Sequence, residues 1–259
     1  MHLGSVKITA IPRIPDVREG DNLGMIIGTA LDEAGLKLKE GDILCIAHKV
    51  VSKAEGNIVF LSDVKPSKEA IKLGKKLNKD IRKVEVILRE SEKVIRSFKR
   101  PEQIEGTMIC QHKLGFICAN SGVDQSNIKE TDAVITIPEN PDMSANKLRL
   151  FLSEKFNVKK LAVIITDTFG RPWRIGQVNV AIGLSGVSPT KRLQGNVDAW
   201  GRDLLVTEPA FCDEVSAASG LLMDKSGKTP VILFNGLDWE FEISNVENIL
   251  RKESEDMFR

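Results

Sequence analysis

Tyrosine is absent from the 259 residues, and aromatic residues of all kinds make up only 5% of them. So few rings exclude the stacking surfaces on which single-stranded nucleic acids are held. Net charge is equally scarce: 37 Lys+Arg against 36 Asp+Glu leave +1, so the chain lacks the electrostatic attraction of a nucleic-acid binder. Four cysteines, Cys45, Cys110, Cys118 and Cys212, are too few to staple a chain of this length. All lie in apolar runs, where a free thiol behaves as a small hydrophobe, and a reducing cytoplasm is the compartment they imply. No window approaches the ~20 apolar residues of a membrane-spanning helix, and the opening MHLGSVKITAIP carries no apolar stretch of signal-peptide length. The reading is a cytoplasmic protein that works on small molecules, away from membranes and nucleic acids.

What is present, 42% hydrophobic and 28% charged residues, suffices to build and cover a core. Helical and strand signals alternate without a fixed period or a low-complexity linker, which predicts a mixed α/β fold of the α+β type. Residues 1–259 read as one domain, with a lobe boundary near 141–144 where NPDMS interrupts the pattern. Strands are expected at Val6–Ile11, Asp42–Val51, Glu105–Cys110, Leu114–Asn120, Ala133–Ile137, Leu161–Thr166, Gln177–Gly183 and Val231–Asn235. Helices are expected at Asn22–Ala34, Ser67–Asn78, Ile81–Lys99, Ser144–Phe156, Ala210–Met223 and Asn245–Met257. The second and third of these form one long basic segment, and Ser144 offers an N-cap oxygen. MICQHKLGFICANSG reads as a hairpin turning around Lys113 to Gly115.

Three motifs resemble functional sites but fail on spacing. GKT at 227–229 lacks the glycine that a phosphate-binding P-loop needs five positions earlier, where Leu222 stands, and Pro230 blocks the helix that should follow. A turn with an exposed Lys228 is the better reading. Cys110, His112 and Cys118 lack the fourth ligand and paired spacing of a zinc site, so a packed hairpin is favoured. The stretch Gly183-Leu-Ser-Gly-Val187 departs from a nucleophile elbow at its fifth position, and His48 has no sequence-level partner for a triad.

The informative stretches are acidic strand ends. In Leu161-Ala-Val-Ile-Ile-Thr-Asp-Thr-Phe-Gly-Arg-Pro-Trp-Arg a buried strand delivers Asp167 and Thr168 at its carboxyl end into a turn carrying Arg171 and Arg174. A carboxylate beside a hydroxyl suits Mg2+ or Mn2+, and the two guanidinium groups suit phosphate oxygens. A second strand ends in Asn120-Ser-Gly-Val-Asp-Gln-Ser-Asn, which sets Asp124 and Asn127 in a loop where Gly122 permits an unusual backbone angle. Lys53, just beyond the apolar strand of Val50-Val-Ser-Lys-Ala-Glu-Gly, adds a point charge able to reach a phosphate. Together these suggest a metal-nucleotide site.

At these residues the chain resembles the coenzyme F420-0:L-glutamate ligases, which add γ-linked glutamates to the deazaflavin coenzyme F420. Collinear blocks carry the resemblance over nearly the whole chain: Ile14-Pro-Asp-Val-Arg-Glu-Gly-Asp, Val51-Ser-Lys-Ala-Glu-Gly, Asn120 to Asn127, Ile164 to Arg174, Ala181-Ile-Gly-Leu-Ser-Gly-Val and Asp198-Ala-Trp-Gly-Arg-Asp-Leu. It implies a GTP-dependent amide ligase with two divalent cations per site, Mg2+ or Mn2+, and K+ as a further candidate ion. It also implies a homodimer of two-lobed subunits whose fold is not the ATP-grasp of other amide ligases. Its substrates would be F420-0, L-glutamate and GTP.

Carried over residue by residue, Asp124 and Asp167 match positions that hold one metal, and Thr168 helps to hold the second. Lys53 and Asn127 match nucleotide contacts, as do Ile14, Pro15, Asp16, Val17 and the loop after Met223. His48 and Lys49 stand where small hydroxyl residues are expected near the nucleotide, so contacts there are rearranged. Lys225 stands where an acidic or amide side chain would reach the second metal. Asp224 is one residue away, and the simpler expectation points Lys225 to solvent or to a phosphate. No role attaches to Asn179. The implied chemistry is phosphorylation of the lactyl carboxylate of F420-0, then attack by the α-amine of glutamate. Lys53 would absorb phosphoryl charge, as would Arg171 and Arg174 on the strength of their charge alone. The alternatives are the same chemistry on another carboxylate acceptor, or a non-catalytic nucleotide-binding regulator.

Overall fold

The computed structural model describes residues 4–224 and 226–256. In chain order its elements begin β1 (Lys7–Ala10), α1 (Leu23–Glu33), β2 (Asp42–Ala47), α2 (His48–Ala54), β3 (Ile58–Phe60), α3 (Lys68–Leu77), α4 (Ile81–Arg89) and β4 (Ser91–Phe98). They continue with β5 (Thr107–His112), β6 (Ile117–Ala119), β7 (Ala133–Ile135), α5 (Pro141–Phe156), β8 (Leu161–Arg171), β9 (Arg174–Ser185), α6 (Phe211–Ser219) and β10 (Val231–Asn235). Among the described residues the fold is mixed α and β, with three separate sheets.

The largest sheet runs β1-β10-β2-β8-β9, and only β2 and β8 are parallel, paired from Asp42↔Leu161 to Ala47↔Thr166. Its inner strands read as unbroken apolar runs because both faces are covered, with α5 and α6 packed along β9. The main core gathers here, around Ile27, Leu31, Leu44, Ile164 and Phe234. A second cluster, including Leu77, Ile87, Met108 and Cys110, lies among α3, α4 and the antiparallel sheet β4-β5-β6, and every one of its buried members falls between Leu61 and Val134. The expected hairpin is β5-β6, closed by Gly115 at φ 88.

Several elements differ from expectation. The strand foreseen to Val51 stops at Ala47, where α2 begins. Val50 and Val51 favour a strand by type, but helical spacing buries His48, Val51 and Ser52 together. The basic segment is broken twice: Asn78 ends α3 in the left-handed region at φ 51, and α4 ends at Arg89. Residues 91–98 then form β4, because pairing with β5 overrides the helical spacing of Val94, Ile95 and Phe98. Asn140, not Ser144, caps α5; its Oδ1 accepts from Met143 N at 2.9 Å, and Pro141 occupies the first turn. The 141–144 segment is therefore helical. Of the helix expected over Asn245–Met257, the described residues form only two short 3-10 turns, since Val246 and Ile249 reach the core while 251–255 is exposed and mostly charged; Met257 lies outside the described residues.

Candidate active site

Strands β2 and β8 end their parallel pairing side by side at Ala47 and Thr166, so the next residues, His48 and Asp167, face the carboxyl edge where ligands collect in α/β sheets. His48 finds its partners only in the fold. Its buried ring puts Nδ1 3.3 Å from Ser52 Oγ, one helical turn on, and Nε2 3.3 Å from Asp167 Oδ1. Burial alone would push the Asp167 carboxyl up, but the charges of His48 and Lys49 and the Thr168 N–H bring it below its ordinary value. Asp167 is not in a turn as expected; β8 continues to Arg171 as one arm of a long hairpin. Thr168 lies opposite Asn179 on β9 and donates its hydroxyl proton to Asn179 Oδ1 at 2.9 Å. The Asn179 amide in turn points to Ser219 Oγ (3.4 Å) and Met223 Sδ (3.5 Å), tying the strand to the loop after α6.

The second carboxylate comes from the other core. After β6 the chain turns through three left-handed residues, Asn120, Ser121 and Gly122, with φ of 52, 49 and 68. A Cβ on Gly122 would sit 2.5 Å from Ile137 Cδ1, so glycine is required there. Asp124 follows, pinned to β7 by main-chain bonds in both directions with Ile135 (3.1 and 2.8 Å). Its Oδ1 accepts the N–H groups of Gln125 and Ser126, and its Oδ2 accepts Ser126 Oγ at 2.8 Å and Lys49 Nζ at 2.5 Å. Burial opposes ionisation, yet the Lys49 ammonium and the Ser126 donors hold this carboxyl well below the usual range.

A cavity of about 460 Å³ opens between these parts. Its lining includes Ile14, Pro15, Asp16 and Val17, then His48, Lys49 and Lys53 on α2, and Asn127, Asp167, Thr168 and Met223. Ile14 and Val17 are buried in the core while Pro15 and Asp16 are exposed, which fixes that segment against the opening. Lys53 lies on the last turn of α2, not beyond a strand, and donates to Asp16 Oδ1 at 2.9 Å. Asp124 reaches the cavity through Lys49. Arg171 and Arg174 are not brought there: both are on the distal part of the hairpin, and Arg171 Nη2 donates to the Ile175 carbonyl. Asp224 lines the cavity, but its carboxylate accepts the N–H and Oγ–H of Ser226. Lys225 lies outside the described residues.

Four contributors escaped the sequence. Asn179 lines the cavity, a placement that depends on the register of β9. Ser126 completes the shell of Asp124. Lys129 and Lys228 add exposed ammonium groups to the lining. GKT is thus a turn with an exposed lysine, as read, and it opens onto the site.

The donor set suits a hard divalent cation: two carboxylates held ionised, and a hydroxyl whose proton is committed to Asn179 so that its lone pairs are left for another partner. A positive charge, Lys49 Nζ, already acts on both carboxylates. Among the described residues no cluster of three or more Asp, Glu, His or Cys side chains exists, so any ion here would complete its shell with neutral oxygens.

The family model described as F420-0:gamma-glutamyl ligase matches residues 12–236, a span that holds every residue lining the cavity. The chain belongs to this F420-0:gamma-glutamyl ligase family. Similar proteins are named coenzyme F420:L-glutamate ligase. The one from Methanopyrus kandleri is 42% identical, with 99% of each chain covered. That from Methanothermobacter thermautotrophicus is 38% identical over 98% of this chain and 99% of its own. That from Methanosarcina mazei is 39% identical over 96% of this chain and 94% of its own. In this member of the ligase family no helix among the described residues is long and apolar enough to cross a membrane.

Proposed function

We propose that this chain joins L-glutamate to coenzyme F420-0 in amide linkage, using GTP as phosphoryl donor with Mg2+ or Mn2+, through an acyl phosphate on the acceptor. The observation that carries this reading is the meeting, in one cavity, of the Ile14–Val17 segment, Lys53, Asn127, Asp167 and Thr168 from separate parts of the chain. The size of the opening is in the range of small-ligand pockets, and its lining holds both carboxylates and ammonium groups, the latter suited to phosphate.

A free carboxylate has no competent leaving group at neutral pH, so amide formation needs prior transfer of the γ-phosphoryl group to its oxygen. The α-amine of glutamate then attacks the acyl carbon, and inorganic phosphate leaves with the electron pair of the broken C–O bond. Asp124, Asp167 and Thr168 are the groups that would hold the cations, whose chemistry is to neutralise phosphoryl oxygens and align donor with acceptor. The chain's own side chains do the rest. Asp16 keeps Lys53 aimed at the opening, and Lys129 and Lys228 supply further positive charge. His48 backs Asp167, and Asn179 Oδ1 accepts the Thr168 hydroxyl hydrogen bond.

The same reading makes the chain a homodimer. The end of the β8–β9 hairpin and the following loop expose Trp173 (87%), Ile175 (101%), Trp200 (86%) and Val206 (87%), apolar groups of the kind a second subunit covers. The function is tested by incubating the protein with F420-0, glutamate, GTP and Mn2+ and reading the product by mass spectrometry. One added glutamyl unit is expected. Absence of that product from a protein that binds GTP would overturn the reading.

A further inference from the structure

We infer that Lys49 is a tethered cation which fills the last acceptor site on Asp124 and must move to a phosphate before a divalent ion can take its place. This rests on the proposed reading that the carboxylates hold a metal and the cavity a nucleotide.

An ionised carboxylate has about four lone-pair sites. On Asp124 all four are engaged: two by main-chain N–H groups, one by the Ser126 hydroxyl and one by Lys49 Nζ. A metal ion therefore has no lone pair to bind until one donor leaves. The Gln125 and Ser126 N–H groups belong to the loop pinned on β7 and cannot withdraw without undoing it. The Ser126 hydroxyl is short and is itself held by Lys49 at 2.5 Å. Lys49 alone combines a long flexible stem with a place in the cavity lining. Its side chain is only 13% exposed, so an ammonium leaving Asp124 needs another anion nearby. A nucleotide phosphate in the cavity is that anion. Arrival of the phosphate and release of Asp124 become one event, and the same ammonium that neutralises the empty site later neutralises the phosphoryl group.

The test is direct binding of Mn2+ to the full chain, followed through the electron paramagnetic resonance of free Mn2+ with no nucleotide present. Lys49→Met keeps length and removes charge, and is expected to bind Mn2+ about tenfold more tightly than wild type, because a competing cation has gone. Lys49→Arg, which keeps the charge, is expected to stay within about threefold of wild type. In an Asp124→Asn background, Lys49→Met should tighten Mn2+ binding by less than it does in wild type, since only its longer-range action on Asp167 remains. GTP binding measured in EDTA should weaken in Lys49→Met, the phosphate having lost its ammonium. Equal or weaker Mn2+ binding by Lys49→Met, with a normal circular dichroism melt, overturns the inference while leaving the ligase reading intact. If wild type binds no Mn2+ even with GTP present, both fall.

Discussion

Thr168 shows how a neutral side chain is made into a ligand. Asn179 Oδ1 accepts its O–H hydrogen bond, which leaves the hydroxyl oxygen oriented as an acceptor for another partner. Asn179→Ala should therefore weaken Mn2+ binding by about tenfold, the scale of losing a partner behind a ligand, whereas Asn179→Asp keeps an acceptor and should retain more of it. Combined with Thr168→Val, Asn179→Ala should add little further loss; full additivity in the double variant would detach Asn179 from Thr168. The carboxylates carry more. Asp124→Asn and Asp167→Asn should each cost over ~10²-fold in metal-dependent turnover with the fold retained, and Thr168→Val less. Asp124 also has a pH signature. Its carboxyl is depressed in the folded chain, so its stabilising contribution is complete above the ordinary carboxylate range and fades as pH falls from ~4 through the depressed value. In urea titrations under EDTA, the stability gap between wild type and Asp124→Asn should be full at neutral pH and close in that acid window; a gap that persists there would show that Lys49 is not its source. At this scale Asp124, Asn127, Asp167 and Lys53 were legible, because each sits in a Gly-, Pro- or Asp-punctuated stretch beside an apolar run. Asn179 was not, since its role depends on standing opposite Thr168 in a hairpin.

The elements that define the site were legible where hydrophobic pattern and local geometry agree. The apolar cores of β2, β8 and β10 and the β5-β6 hairpin fall close to expectation. Helix α2 does not, because its seven residues carry two valines and its helicity is decided by burial of His48 against Asp167 and Ser52. Strand β4 is hidden for the converse reason, its side-chain spacing fitting a helix until β5 pairs with it. The turn before Asp124 is the stiffest local device. Gly122→Ala must accept both a left-handed backbone and contact with Ile137, which should displace Asp124 and weaken Mn2+ binding by at least ~10-fold, well beyond any loss in melting temperature. An unchanged Mn2+ isotherm would show that the loop absorbs the methyl group elsewhere. The β8–β9 hairpin makes a separate prediction: Trp173→Glu with Ile175→Glu should turn a dimer into monomers in sedimentation velocity, and a wild type that already sediments as a monomer would remove the second subunit from the proposal.

At the scale of the whole molecule the site joins two cores. Asp167 and Thr168 come from β8 of the five-stranded sheet and His48 from α2 just after β2, whereas Asp124 and Asn127 come from the loop beside the smaller cluster. Composition and alternation were enough to foresee a mixed α/β chain, but nothing local to the sequence signals that β2 lies between β8 and β10, its pairings being distant along the chain. That strand order bears on how the protein is made. A ribosome releases β2 early, yet its first neighbour begins only at Leu161 and its second only at Val231, so the strand waits with both edges bare until β8 is made and with one edge bare until β10 is. The smaller cluster has no such delay, since all its buried members have been synthesised by Val134. The loop bearing Asp124 can thus be in place on β7 before Asp167 exists, and the last long strand to emerge, β10, completes the sheet on which the other half of the site stands.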